Sequence, residues 1–210
     1  MLNYLQKRKS LMSKKINKTD VTGVILAGGQ ARRMQGKDKG LVLLNNKPMV
    51  EYVIESLKPQ VGKLLINANR NLEKYSAHGF DIVSDELSGY HGPLAGMASA
   101  LNTVTTPYML TAPCDSPFIA NDLVKRLINA LETNDADISV AHNGERIQPV
   151  FCLMKKELLP SINNFLNNGE RKIDKWFNQH KLAIADFSDN PKTFDNLNTI
   201  EDIQSIETQL

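Results

Sequence analysis

The sequence predicts an α/β protein with a single doubly wound, mostly parallel sheet and helices on both faces. Three observations carry this. Short apolar runs of strand length alternate with segments whose apolar residues repeat at helical spacing. Glycine, asparagine and aspartate gather just after the carboxyl ends of those runs, where such sheets bind their ligands. The 210 residues suit one domain with a full core, and no repeat, low-complexity tract or linker divides them.

The elements follow in order. Residues 21–27 read as a strand whose apolar end, Val24-Ile25-Leu26-Ala27, runs into Gly28-Gly29. Residues 41–44 are a short apolar segment before an Asn45-Asn46-Lys47 turn. Pro48 fits the first turn of a helix in which Val50, Val53, Ile54 and Leu57 share a face. Strands are expected over 63–68 and over 80–83, the latter ending at Ser84-Asp85. Residues 93–104 form a helix of small residues able to pack closely on the sheet, and 108–112 form a strand leading into Pro113-Cys114-Asp115. Asn121 is suited to cap a helix carrying Leu123, Val124, Leu127, Ile128 and Leu131. Strands at 137–141 and 149–154, helices near 156–166 and 172–180, and a late strand at 182–186 complete the sheet. Thr199-Ile200-Glu201-Asp202 has the spacing of a capping box for a last helix.

Composition excludes several classes. The chain is 41% hydrophobic and 23% charged, ordinary for a globular protein, and no apolar run reaches the roughly 18 residues needed to span a bilayer. The basic N-terminus lacks a continuous apolar stretch and a small-residue cleavage site, which argues against a secretory signal. Cys114 and Cys152 form no metal spacing, so a reducing cytoplasm is expected. The net charge of +2 is unevenly spread. Residues 1–20 carry six basic side chains against Asp20 alone, a net of +5, which leaves 19 basic and 22 acidic groups, a net of −3, on the rest. A general nucleic-acid surface is therefore not expected. Residues 1–18 read as a basic, disordered extension and 19–210 as the domain, with Met12 marking a second plausible start.

The basic charge of the body concentrates after the first strand, in Gly28-Gly29-Gln30-Ala31-Arg32-Arg33-Met34-Gln35-Gly36-Lys37-Asp38-Lys39-Gly40-Leu41. Glycines let backbone N–H groups approach a bulky anion, and Arg and Lys supply opposing charge. The loop reads as a cradle for a nucleotide triphosphate. It is not a Walker A loop, because Gly29 and Gly36 are seven apart and Asp38 follows Lys37. Nor does the pair Gly28-Gly29 start a dinucleotide fingerprint. Leu-Ala-Gly-Gly-x-x-x-Arg-Met-x-Gly-x-Asp-Lys instead resembles the signature loop of nucleotidyltransferases, and its Asp38-Lys39-Gly40-Leu41 ending is similar to that of the molybdenum cofactor guanylyltransferases. It departs from that family at Gln35, usually a glycine, which bears on phosphate contacts of the loop.

The similarity covers roughly residues 21–205. Pro113-Cys114-Asp115-Ser116-Pro117 matches the family's Pro-Cys-Asp-x-Pro, and Asp85 with Gly92-Pro93-Leu94-Ala95-Gly96 matches Asp-x6-Gly-Pro-Leu-Ala-Gly. Glu145-Arg146-Ile147-Gln148-Pro149-Val150 resembles the family's segment near the acceptor. Phe194-Asp195-Asn196-Leu197-Asn198-Thr199 resembles its Phe-x-Asn-x-Asn-Thr.

The resemblance implies a Rossmann-like nucleotidyltransferase. It would transfer GMP from GTP to the terminal phosphate of molybdenum-molybdopterin, releasing pyrophosphate. Asp115, after an apolar strand and stiffened by flanking prolines, suits a Mg2+ ligand, since magnesium takes one or two carboxylates with waters and phosphate oxygens. Lys39, and Arg33 as second candidate, would offset charge on the triphosphate as the α–β bond breaks. By resemblance, Leu26, Ala27, Gly28 and Gly29 cradle the nucleotide, Asn67 and Asp85 contact it, and Asn196 and Asn198 lie near the pterin. Molybdenum cofactor maturation proteins and apo-molybdoenzymes are the implied protein partners of an expected monomer that binds neither nucleic acid nor membrane.

Two other readings stay open: a cytidylyltransferase acting on the pterin or on a sugar phosphate, and a non-catalytic nucleotide-binding carrier. Guanine is carried by the resemblance alone. His78, His91, His142 and His180 form no ligand spacing, Cys114 reads as a small buried residue, and Trp176 and Phe177 as packing anchors.

Overall fold

A computed structural model describes residues 15–29, 38–86 and 92–207. The first thirteen residues of the expected extension and residue 14, together with Arg33, Gln35 and His91, lie outside the described residues. Ile16 is already buried in the core, and its N–H donates to Glu132 Oε1 at 2.6 Å.

Nine strands and seven α-helices are described. In chain order they are β1 (Val21–Leu26), β2 (Leu43–Leu44), β3 (Lys47–Pro48), α1 (Met49–Leu57), β4 (Lys63–Asn67), α2 (Leu72–Ser76), β5 (Asp81–Val83), α3 (Pro93–Thr103), β6 (Tyr108–Pro113), α4 (Leu123–Thr133), β7 (Ile138–His142), β8 (Ile147–Lys155), α5 (Leu159–Asn167), α6 (Ile173–Phe177), β9 (Leu182–Asp186) and α7 (Ile200–Glu207). Seven strands form one sheet in the order β5-β4-β1-β6-β8-β7-β9, and β2 pairs with β3 in a separate hairpin. The sheet is parallel except for β8, which runs against both β6 and β7. The reason is the connection: β7 and β8 are joined by a short turn, and parallel neighbours need a crossover of a dozen or more residues.

Helices cover both faces, as the alternation of the sequence requires. The apolar stripes of α1 and α4 pack on one face with Ile25, Ile66 and Leu110, while α3, α5 and α6 pack on the other with Val24, Leu65 and Met109. Adjacent residues of β1 and of β4 thus feed opposite clusters, as the two-residue period of a strand demands. A third, smaller cluster joins Leu44 and Met49 to Leu197 and Ile203, so α7 clasps the β2–β3 hairpin.

Several local readings are corrected. Pro48 belongs to β3 and precedes α1 rather than entering its first turn. The helix expected over 156–166 opens with a 3-10 turn, and only Ile173–Phe177 of 172–180 is helical. Asn121 does not cap α4, whose N-cap position is Asp122 without a capping side-chain bond. Gln60, distant in sequence, does that work: its Oε1 accepts from Val124 N–H at 3.1 Å, and its Nε2 donates to Ala120 O and Ser56 O. The last capping box forms as expected, with Asp202 N–H donating to Thr199 Oγ1 and Asp202 Oδ2 accepting from Thr199 N–H. Asn45 and Asn46 take φ of 49° and 61°, the left-handed pair that a two-residue hairpin turn needs.

Two prolines part the sheet near its carboxyl edge. The β7–β8 register jumps from Val140↔Cys152 to Ala141↔Gln148, passing over Pro149, Val150 and Phe151. Pro149 has no N–H to give the ladder. The β6–β8 pairing ends at Thr111↔Cys152, short of Pro113, and Thr111 Oγ1 donates to the Val150 carbonyl at 2.6 Å. Gln60→Ala should remove the cap of α4 and leave the Val124 amide short of its acceptor. The expected loss is about 1–2 kcal/mol, a fall in Tm of roughly 3–6 °C by thermal unfolding; an unchanged Tm would remove Gln60 from this role.

Candidate active site

In a doubly wound sheet the crevice opens where successive strands leave in opposite directions. Here the chain passes from β1 to β4 and β5 on one side, then returns to place β6 on the other. The strand ends stay bonded beyond the sheet: Ala27 N–H donates to Asn67 O at 2.7 Å, Cys114 N–H to Leu26 O at 3.2 Å, and Ala68 N–H to Val83 O at 3.0 Å. A cavity of about 470 Å3 lies above them.

That cavity gathers Leu26, Ala27, Gly28, Gly29, Lys39, Asn67, Asp85, Asp115, Asn196 and Asn198, which are all the expected site residues among those described. Arg33 lies outside the described residues.

The polar groups are tightly partnered. Asn67 Nδ2 donates to Asp85 Oδ1 at 2.8 Å and to Val83 O at 3.1 Å. Asn69 Nδ2 donates to Asp85 Oδ2 at 2.9 Å, and Asn69 Oδ1 accepts from Asp85 N–H at 2.8 Å. Both Asp85 oxygens are therefore engaged by amides. Glycines let the neighbouring backbone reach this group: a Cβ on Gly96 would lie 2.4 Å from Asn67 Oδ1, and one on Gly28 2.8 Å from Asn69 Nδ2. Gly29 differs, because a Cβ there would meet none of the described residues within 4 Å. Gly92, at φ 76°, delivers Pro93 to the first turn of α3, whose N-terminus opens on the cavity with its partial positive charge.

Across the cavity, Lys39 Nζ donates to Asp115 Oδ2 at 2.9 Å and to Asn198 Oδ1. The segment bearing Asn198 is fixed by Leu197 N–H donating to Asp115 O at 3.0 Å, by Ser116 Oγ donating to Asn196 Oδ1, and by Asn198 N–H donating to Asp202 Oδ2 at 2.9 Å. Among the described residues, Asp115 Oδ1 takes no hydrogen bond, although its side chain is only 10% exposed.

Sequence reasoning missed two groups of the site, one lining the cavity and one behind it. Asp38 enters the sequence reading only as part of the loop motif, without a role at the site, but it lines the cavity and is 7% exposed. Asn69 was passed over for Asn67, although the Asn-Ala-Asn spacing puts both on one side of the chain beyond β4, and it holds Asp85. A second cavity, about 450 Å3, occupies the gap between β6 and β8 and is lined by Arg146, Gln148, Phe151 and Asp174 among others. It shares Pro113, Val150 and Asn196 with the first.

The remaining candidates stay outside the chemistry. His142 Nδ1 accepts from Gly144 N–H, His180 Nε2 lies 2.9 Å from Ser161 Oγ, and His78 lies 3.7 Å from Glu51. Burial holds His180 below its usual range. Trp176 and Phe177 are buried in the second cluster. Burial, and then the carboxylates of Asp115 and Asp38, push the Cys114 thiol well above its ordinary pKa, so it is not a thiolate nucleophile at neutral pH.

Residues 23–183 match the MobA-like NTP transferase domain. The chain belongs to the MobA-like NTP transferase family. Relatives named molybdenum cofactor guanylyltransferase include that of Shewanella putrefaciens, 53% identical over 184 residues that cover 88% of this chain and 94% of the relative. Another, from Shewanella sediminis, is 51% identical and covers 89% and 95%. In fold the chain is similar to molybdopterin-guanine dinucleotide biosynthesis protein A of Archaeoglobus fulgidus, with TM-score 0.76, 21% identity, and 90% and 97% of the two chains covered. It is similar too to the 4-diphosphocytidyl-2C-methyl-D-erythritol synthase of Anaerococcus prevotii, with TM-score 0.70, 13% identity, and 90% and 97% covered. A shared sheet architecture does not by itself fix an activity, which depends on the residues of the site. For this member, iodoacetamide at pH 8 should leave both buried cysteines unmodified in the folded chain and alkylate both after unfolding, read by intact mass. Rapid alkylation of folded protein at Cys114 would contradict the closed, protonated thiol.

Proposed function

We propose that the chain transfers GMP from GTP to the terminal phosphate of molybdenum-molybdopterin, forming molybdopterin guanine dinucleotide and pyrophosphate. Homology supports it, with the Shewanella relatives at about half identity over nearly their whole length. The structural observation that carries it is a carboxylate oxygen, Asp115 Oδ1, that takes no hydrogen bond among the described residues, beside an ammonium group, Lys39 Nζ, above the glycine-lined ends of the parallel strands.

Charge explains the arrangement. The described lining contains three carboxylates, Asp38, Asp85 and Asp115, against one ammonium. Asp38 and Asp85 have both oxygens engaged by donors, which leaves Asp115 able to ligate. Among the described residues no group of three or more His, Cys, Asp or Glu side chains gathers as a metal cage. A Mg2+ ion arriving with the triphosphate fits this donor set, because magnesium keeps waters and takes few carboxylates. Asp115 would hold it, and when bound it would supply positive charge to neutralise the triphosphate.

The protein's own residues then do the following. The backbone of Leu26, Ala27, Gly28 and Gly29 lines the nucleotide; Asn67 and Asp85, fixed by Asn69, order its sugar side. Lys39, with Arg33 as second cation, offsets charge on the departing pyrophosphate. The acceptor lies toward the second cavity, with Asn196 and Asn198 against the pterin and its phosphate directed at Asp115. An oxygen of that phosphate attacks the α-phosphorus, the bond to the β-phosphate oxygen breaks, and pyrophosphate leaves with the electron pair. The acceptor is already an anion, so no strong general base is required, and positioning dominates. We take residues 19–210 as the catalytic domain. Both free cysteines are buried, which accords with a reducing cytoplasm, and no described helix is long and apolar enough to cross a membrane.

Calorimetry with GTP, CTP and ATP in magnesium tests the base, with GTP expected to bind most tightly; a preference for CTP would move the assignment to the cytidylyl reaction. Asp115→Ala should lower transfer on the order of 10^3-fold. Turnover within tenfold of the unaltered chain would take Asp115 out of the metal role.

A further inference from the structure

Behind Lys39 stands a buried group to which neither the sequence nor family membership gives a task. Tyr75 is fully buried in the core cluster under α1, and its hydroxyl donates to Asp38 Oδ1 at 2.6 Å. Asn71 Nδ2 donates to Asp38 Oδ2 at 3.0 Å, and Arg70 Nε lies 3.5 Å from the same oxygen. The Asp38 side chain is 4% exposed. On the other side of Lys39, a Cβ on Gly40 would sit 2.6 Å from the Tyr75 hydroxyl oxygen and 3.1 Å from Cys114 Cβ, so only glycine lets the chain pass. Leu41 N–H donates to Asp38 O at 3.0 Å and closes the 3-10 turn Lys39–Leu41.

Lysine is a flexible four-carbon stem carrying a point charge. Where its ammonium rests depends on how firmly its Cα is held, and a displacement of about 1 Å can lower a rate on the order of 100-fold. Here the residue before Lys39 is gripped by three side chains, and the residue after it is wedged against the same phenol. We propose that the Tyr75–Asp38 hydrogen bond, seconded by Asn71, is a positioning device that sets the Lys39 ammonium against Asp115 for the transfer step. The proposal rests on the role of Lys39 given above.

Two features suit this role better than a purely stabilising one. A buried carboxylate ringed by donors is weak as a source of stability, because its desolvation offsets its bonds. And Arg70 beside Asp38 compensates a negative charge that would otherwise repel phosphate across the cavity. Burial first, then Cys114 and Asp38, raise the Tyr75 phenol above its ordinary value, so it remains a donor wherever the protein is folded.

The test is a double-substitution cycle on the full chain, with magnesium GTP binding by calorimetry and transfer to molybdenum-molybdopterin by rate. Tyr75→Phe removes only the hydroxyl and keeps the ring in the core. It should bind magnesium GTP within about threefold of the unaltered chain, yet lose on the order of tenfold or more in kcat. Combined with Lys39→Ala, it should add almost nothing to the loss from Lys39→Ala alone, because it acts through that ammonium. Asn71→Gly suits the left-handed backbone at φ 51° and removes the side chain that donates to Asp38; it should show the same pattern more weakly, and it decides the matter alone if Tyr75→Phe fails to fold. A lowered Tm with unchanged kcat, or losses that multiply with that of Lys39→Ala, would overturn the positioning role while leaving the guanylyl assignment standing. Failure of the unaltered chain to bind magnesium GTP would overturn both.

Discussion

The Lys39 ammonium, held between Asp115 Oδ2 and Asn198 Oδ1, joins parts of the chain 76 and 159 residues away from it. Most other features of the site make sense as conditions for that contact. Asp115 must stand just past the end of β6, Asn198 must be folded back over it, and the turn bearing Lys39 must run beside both. The first condition is met by the parallel sheet. The second is met by Leu197, whose side chain anchors the small cluster with Leu44, Met49 and Ile203 while its N–H binds Asp115 O. The C-terminal helix thus serves the site through the hairpin it covers.

The site also illustrates how buried charge is managed. Asp38 and Asp85 are each surrounded by amide, phenol or guanidinium donors, so they act as rigid parts of the wall. Asp115 shares one oxygen with Lys39, and its other oxygen takes no hydrogen bond among the described residues. The difference lies in the number of neighbouring donors among the described residues, and it separates carboxylates that look alike in the sequence.

Packing and openness are divided among the glycines in a similar way. Gly28, Gly40 and Gly96 are sites of close approach, where a methyl group would strike Asn69, Tyr75 or Asn67, whereas one on Gly29 would meet none of the described residues. Prolines act on the sheet itself. Pro149 interrupts the β7–β8 ladder, Pro113 lies beyond the last β6–β8 pair, and the space between those strands is the second cavity. The two residues that spoil hydrogen bonding thereby open the sheet beside Asp115.

By itself the sequence determined most of the order of strands and helices, because apolar periods of two and 3.6 residues are local properties; α2 and the β2–β3 pair are too short to show a period and were missed. It also marked segments that line the first cavity: the Gly28-Gly29 turn and Asp115 stand directly after apolar runs, while Asp85, Asn196 and Asn198 are marked by the family resemblance of their motifs. The boundaries that failed, at Pro48, Asn121 and 172–180, failed because local propensity yielded to distant partners; Gln60 capping α4 is the plainest case. Only the tertiary structure decided the reversal of β8, the second cavity, the capture of Asp38 by Tyr75, and which carboxylate keeps an open oxygen. Each of these depends on groups far apart in the chain brought within hydrogen-bonding distance, and a contact of that kind leaves no periodic or compositional trace in the sequence.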